Sequence, residues 1–286
     1  MSESASLPGI ERTTSTLPGN GEPDLFCRHW TPAQSKGTVA IVHGLGEHSG
    51  RYDEVATFLA SRGFFATAYD QRGFGKSGGP RAHVPAWGEY AGDLGRFLET
   101  VQPDRSPVFL LAHSMGGLVA FDFLETGSCP KVRGIVATSP LLGVAVRVPA
   151  WKGVLGRVAS RLLPRLSLPT EVQPTDLTHD PAKIAEYEAD GLIHEKATAR
   201  WYTEMLAALV RVHANASRIQ VPSLVIHAGA DRVTDPEASR RFVERIGHPD
   251  REFRRREGEF HEVLNETNRA GLYEEIADWF LARIPA

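Results

Sequence analysis

The sequence predicts an α/β fold: a mostly parallel central sheet with helices on both faces and a helical cap inserted late in the chain. Three observations carry this. Short apolar, β-branched runs alternate with helix-compatible stretches from about residue 37 to 138, as crossover-connected parallel strands require. The alternation stops near Ser139 and resumes at Val221. A chain of 286 residues, 42% hydrophobic and 23% charged, has room for one large domain with an insertion or for two small ones.

Residues 1–9 are polar and read as a mobile lead. Strands near 12–17 and 24–30 flank Pro18-Gly19-Asn20-Gly21, which predicts an antiparallel edge hairpin. Next come a strand at 37–42, a helix at 51–62, a strand at 64–69 and a helix at 85–101. A strand at 107–112, a helix at 115–125 and a strand at 132–138 continue the pattern. After the break, a strand at 221–227, a helix at 235–246, a strand at 252–256 and a helix at 268–281 complete it. The expected division is therefore 1–22 as a flexible segment and edge strand, 23–139 and 217–286 as the two parts of the core, and 140–216 as the cap.

The cap opens unusually. From 141 to 170 there is no acidic residue, while Arg147, Lys152, Arg157, Arg161 and Arg165 interleave with Trp151, Val154, Leu155, Val158, Leu162 and Leu166 at helical spacing. This is either a core-packed helix with a solvated basic face, or a cap whose apolar face meets lipid or a fatty substrate. A later helix at 200–213 is expected to pack against the cap.

Composition removes several function classes. A net charge of −3 offers no basic excess for nucleic acid. Two cysteines, Cys27 and Cys129, rule out a disulfide scaffold; free buried thiols in a reducing compartment are expected ahead of the alternative, a single bridge between them. Residues 1–6 have neither the basic nor the apolar region of a secretory signal, and no apolar window reaches about 18 residues, so a cytoplasmic location is expected.

The chemistry centres on Val108 to Ala120. A buried-strand run ends at Ala112 and a helix-compatible run begins after Ser114, with only small residues around the hydroxyl. This is the nucleophile-elbow pattern G-x-S-x-G with Ala112 at its first glycine. A strand that turns at once into a helix holds its middle residue strained and exposed, so neighbours two away must be small. A serine hydroxyl also needs a base, and the base needs an acid behind it. Asp231 follows the strand at 221–227, whereas Asp235 precedes Pro236-Glu237 and reads as a helix cap. His261 follows the last strand. Among the 11 histidines it is the one placed downstream of both partners and after a strand, since His248 ends a helix and His113 adjoins the serine. The N–H groups of Met115 and of Leu45, in His43-Gly44-Leu45-Gly46, are the expected oxyanion donors.

Two further patterns fail. Gly73-Phe74-Gly75-Lys76-Ser77-Gly78 matches G-x-G-x-x-G, but Gly79-Pro80 follows instead of a helix, and Asp70 stands where a Walker A loop needs glycine. No histidine or cysteine cluster has metal-ligand spacing, so neither metal nor cofactor is expected.

With these residues in place, the chain resembles the monoacylglycerol lipase and lysophospholipase family of the α/β-hydrolase fold. The likeness lies in His43-Gly44-Leu45-Gly46-Glu47-His48-Ser49-Gly50-Arg51-Tyr52, in Asp70-Gln71-Arg72-Gly73-Phe74-Gly75-Lys76-Ser77, and in His113-Ser114-Met115-Gly116-Gly117. It runs from about Phe26 to the C-terminus and is weakest through the cap. The resemblance implies hydrolysis of a single-chain glycerolipid ester, an acyl tunnel under the cap and contact with membranes through it. It also implies that Glu47, His48 and Arg51 hold the oxyanion loop. Ala112 departs from the glycine usual there. A broad carboxylesterase, a thioesterase or a lysophospholipase would share these residues; a silent ligand-binding hydrolase fold would have no use for Ser114, Asp231 and His261 together. Oligomeric state is not legible.

Overall fold

The computed structural model describes residues 9–101, 105, 107–127, 131–145, 150–170 and 172–285. Its main sheet is built from β1 (Ile10–Leu17), β2 (Leu25–Pro32), β3 (Gly37–Val42), β4 (Phe64–Tyr69), β5 (Val108–His113), β6 (Val132–Thr138), β9 (Ser223–Ala228) and β10 (Arg251–Arg256). Two short strands, β7 (Ser167–Pro169) and β8 (Lys196–Thr198), pair apart from it. The sheet order is β1-β2-β4-β3-β5-β6-β9-β10. β1 and β2 form the antiparallel edge hairpin, closed through Asn20 and Gly21 at positive φ. From β4 to β10 every pairing is parallel, so the C-terminal ends of β3, β5, β6, β9 and β10 share one edge.

Period-two alternation decides which residues face which layer. Val39, Ile41, Phe109, Leu111, Leu224 and Ile226 pack under α1 (Asp53–Ser61) and α8 (Arg269–Leu281). Their neighbours Ala40, Val42, Leu110, Ala112 and Val225 meet α2 (Gly88–Glu99), α3 (Met115–Leu124) and α7 (Pro236–Val243). Phe280 of α8 sits between Phe64 and Phe109, with ring centroids 5.9 and 5.0 Å away. Truncating such a core ring costs about 3–5 kcal/mol.

Element ends move where local chemistry dictates. The helix expected from 51 opens as a 3-10 turn, Ser49–Tyr52, before α1, and α2 begins only at Gly88. The glycine-rich 73–78 segment is a turn, with Gly73 N donating to Gly78 O at 2.8 Å and Lys76 N to Asp70 Oδ2 at 2.8 Å. Cys27 is buried and free, while Cys129 and residues 1–8 lie outside the described residues.

Between β6 and β9 stand α4 (Ala150–Leu162), β7, α5 (Pro181–Ala189), β8 and α6 (Ala199–Asn215). Two expectations are corrected here. α6 is not merely cap packing: Trp201, Met205, Ala208 and Val212 belong to the core cluster above α3, because their i, i+4, i+7 spacing puts them on one face. α4 stops at Leu162, and with Pro164 just beyond it, Leu166 lies outside the helix. Arg147 and the side chains of Trp151, Lys152, Val154 and Leu155 fall outside the description. The apolar ones that remain are exposed, Val158 at 47%, Leu162 at 74% and Leu166 at 42%, with Leu163 and Leu168 beside them. Among the described residues no helix is long and apolar enough to cross a membrane.

Candidate active site

Ser114 sits where β5 turns directly into α3, at φ 51° and ψ −119°. Left-handed φ is strained for a residue with a Cβ, and the neighbours hold it there. Ser114 N donates to Thr138 O at 3.1 Å, and Ser114 O accepts from Gly117 N at 2.9 Å and Leu141 N at 2.8 Å. A methyl group on Gly116 would run into the Val42 carbonyl, so that position needs glycine. Ala112 does not, because it lies in regular β5, paired with Val42 and Ala137.

The loops after β9 and β10 bring the two expected partners to this serine. His261 Nε2 lies 3.0 Å from Ser114 Oγ, and His261 Nδ1 lies 2.8 Å from Asp231 Oδ2. The Asp231 side chain is fully buried, its Oδ1 accepting from Val233 N at 2.8 Å and Thr234 N at 2.9 Å, its Oδ2 from Thr234 Oγ1 at 2.9 Å. Burial alone would raise this carboxyl, but the charge of His261 and hydrogen bonds from His227 and His261 hold it far below the usual carboxylate range. Burial likewise opposes a charge on His261, yet Asp231 beside it raises the imidazole above 6.5. The rival carboxylate Asp235 caps α7, accepting from Glu237 N at 2.9 Å. His113 points away from the hydroxyl, Nδ1 toward Thr138 O at 3.0 Å, with its ring 4.9 Å from that of His261. Burial first, then His261, pulls its pKa down to about 4, so it packs there as a neutral ring.

On the other side of the serine, the loop after β3 lies close enough that a Cβ on Gly44 would stand 3.2 Å from Ser114 Cβ. Leu45 is in this loop, and Met115 opens α3, where the helix has no carbonyl for its N–H. Glu47 shapes the loop: Oε1 accepts from Gly44 N at 2.5 Å and from Tyr52 Oη at 2.7 Å. Arg51 reaches Glu47 at 3.1 Å and grips Glu262 through two bonds of 2.6 and 2.9 Å. Since Glu262 follows His261, this buried chain joins the loop beside Ser114 to the histidine loop. His48 Nε2 meets Asp190 Oδ2 at 2.7 Å, and His194 N donates to Gly46 O at 2.7 Å, so the insertion is fastened to the same loop. It also holds the histidine loop, with Glu262 N donating to Leu177 O at 2.7 Å.

A family model described as serine aminopeptidase, S33, matches residues 33–268. The chain belongs to this family of α/β hydrolases. This hydrolase is 32% identical to monoglyceride lipase of Rattus norvegicus over 269 residues, 91% of this chain and 88% of that protein. An abhydrolase domain-containing protein of Dictyostelium discoideum is also 32% identical across 95% of this chain, which spans 29% of that protein's length. Among solved structures, monoacylglycerol lipase of Paleococcus ferrophilus superposes with a TM-score of 0.81 at 30% identity, over 96% of this chain and 99% of that one.

The hydrolase brings Ser114, His261 and Asp231 into one hydrogen-bonded line and joins Glu47 and Arg51 to the loop that carries Leu45, while His48 turns to Asp190. Sequence reasoning missed Glu262, Asp190 and His227. Glu262 adjoins His261, and an acid there facing Arg51 could have been suspected. His227 is the penultimate residue of β9, four residues before Asp231. Asp190, 142 residues from His48, carried no signal.

Proposed function

We propose that this hydrolase cleaves carboxylic esters of single-chain glycerolipids, monoacylglycerols foremost, through an acyl-enzyme on Ser114. The observation that carries the reading is the hydrogen-bonded line Ser114–His261–Asp231 at 3.0 and 2.8 Å. In it, His261 takes the hydroxyl proton as Ser114 Oγ attacks the ester carbonyl. The N–H groups of Leu45 and Met115 bind the oxyanion, and His261 hands its proton to the departing glycerol alkoxide. Water, deprotonated by His261, then releases the fatty acid, while Asp231 stays ionised throughout. Each proton moves among Ser114, His261, substrate and water, so the scheme uses no cofactor.

The glycerolipid choice is supported by the likeness to the rat and Paleococcus lipases and by the exposed Leu162 at the end of α4 and Leu163 just beyond it, with Arg157, Arg161 and Arg165 interleaved in the same stretch of sequence. Such a surface suits a substrate delivered from a lipid interface, with the 140–216 segment as a cap touching it. Those arginines also favour a second reading, a lysophospholipase whose substrate carries a phosphate headgroup. A panel of monoacylglycerol, diacylglycerol, lysophospholipid and short p-nitrophenyl esters, run with wild type and Ser114→Ala, tests both. The expectation is fastest turnover of monoacylglycerol and none in the variant; a variant as active as wild type overturns the mechanism, and preference for lysophospholipid overturns the substrate.

A further inference from the structure

The strand before Asp231 carries, next to its last residue, a histidine that none of these steps uses. His227 is wholly buried, with Nδ1 3.0 Å from Ser239 Oγ and Nε2 3.2 Å from both Asp231 Oδ2 and Thr234 Oγ1. The tautomer follows from the partners. An ionised carboxylate only accepts, so Nε2 must carry the proton. In the neutral ring Nδ1 then has a lone pair, and the Ser239 hydroxyl on α7, 3.0 Å away, is placed to donate to it. Thr234 Oγ1 spends its own proton on Asp231 Oδ2, at 2.9 Å.

Asp231 Oδ2 is thus surrounded by three side-chain donors, His261, Thr234 and His227, and Oδ1 by two backbone N–H groups. Five donors leave this carboxylate no free rotation. A leucine could fill the space of His227 without burying two polar atoms. An imidazole there has its nitrogens satisfied only because one faces the carboxylate and the other faces α7.

We propose that His227 and Ser239 extend the line of hydrogen bonds to Ser239–His227–Asp231–His261–Ser114 and act as positioning residues, keeping the carboxylate turned toward His261. This inference rests on the mechanism proposed above. His227 touches no reacting atom; it acts through Asp231. The other charged or titratable groups acting on His261 are Glu262, Glu47 and His113, and the variants below leave them in place.

The test is steady-state kinetics across pH for His227→Leu, His227→Gln, Ser239→Ala and the His227→Leu/Ser239→Ala double variant, with Ser114→Ala as the control on the mechanism. His227→Leu is expected to lower kcat about tenfold with KM unchanged, the effect of losing one hydrogen bond to a charged group. Its acidic limb of kcat/KM should move to higher pH, because a carboxylate with one donor fewer leaves more negative charge facing the imidazolium. His227→Gln, whose amide restores an N–H, should recover most of kcat. Ser239→Ala should move both quantities the same way by less, and the double variant should be no worse than His227→Leu. A well-folded His227→Leu with wild-type kcat and an unmoved limb overturns the proposal, as do additive effects in the double variant. If His227→Leu does not fold, Ser239→Ala decides alone, and a wild-type profile there is equally fatal. Activity surviving in Ser114→Ala would instead sink the underlying mechanism, so the two failures are distinguishable.

Discussion

Replacing Arg51 by Met tests the buried link between the two loops that flank Ser114. The three side chains concerned, Arg51, Glu47 and Glu262, are only 9%, 6% and 6% exposed. Methionine keeps an apolar stem against Tyr187, whose ring lies 5.0 Å from the guanidinium carbon, but leaves two carboxylates buried without their cation. Removing one partner of such a pair costs about 3–5 kcal/mol. At about 2–4 °C per kcal/mol for a large domain, Tm at pH 7 should fall by about 6–20 °C. The pH dependence carries a sign. Burial would raise the Glu262 carboxyl, but Arg51 holds it well below 4.5, so in the wild type its contribution is present above that unfolded value and is lost only as pH falls through the depressed one. Without Arg51, burial and Glu47 push the carboxyl upward, and acidification toward pH 5 neutralises it and relieves the penalty. The Tm gap between wild type and variant, followed by calorimetry from pH 8 to pH 5, should therefore narrow. A gap of under about 2 °C at pH 7, or one that widens with acid, would refute the reasoning.

Other outcomes follow from the same geometry. Asp231→Asn should fold normally but lose about 10⁴ in kcat, because the amide no longer holds the tautomer of His261; near-wild-type turnover would contradict it. Because Asp231 raises His261 above 6.5 and the base must be neutral to act, kcat/KM should rise with pH through a value above 6.5, and a pH–rate profile already flat at pH 6 would oppose this. Gly46 has φ +77°, and a Cβ there would lie 2.5 Å from His194 O, so Gly46→Ala should lower kcat together with Tm, the left-handed strain alone costing about 1–2 kcal/mol. Leu162→Ser/Leu163→Ser should weaken flotation with phospholipid vesicles by about tenfold or more while hydrolysis of a water-soluble ester is unchanged; equal flotation would remove the lipid-facing role of α4.

The order of strands and helices was legible because burial on both faces forces continuous apolar runs, and Ser114 because a strand-to-helix elbow tolerates only small neighbours. Asp231 and His261 were legible by position, each following a strand that the parallel sheet must end at the same edge. Local chemistry also marked Asp235 as a cap, correctly, since Asp-Pro-Glu has the same geometry in any helix start. The reach of such rules is a few residues. Asp190 meets His48, and Arg51 meets Glu262 211 positions away, only because the folded chain superposes their loops. α6 and α4 differ for the same reason: both are amphipathic, but only packing assigned the apolar face of one to the core and left leucines at the end of the other in water. Pattern along the chain settled what each segment could become. Which polar groups meet in the interior, and so which carboxylate and which imidazole are tuned, was decided by tertiary structure, because burial and charge act through distance in space.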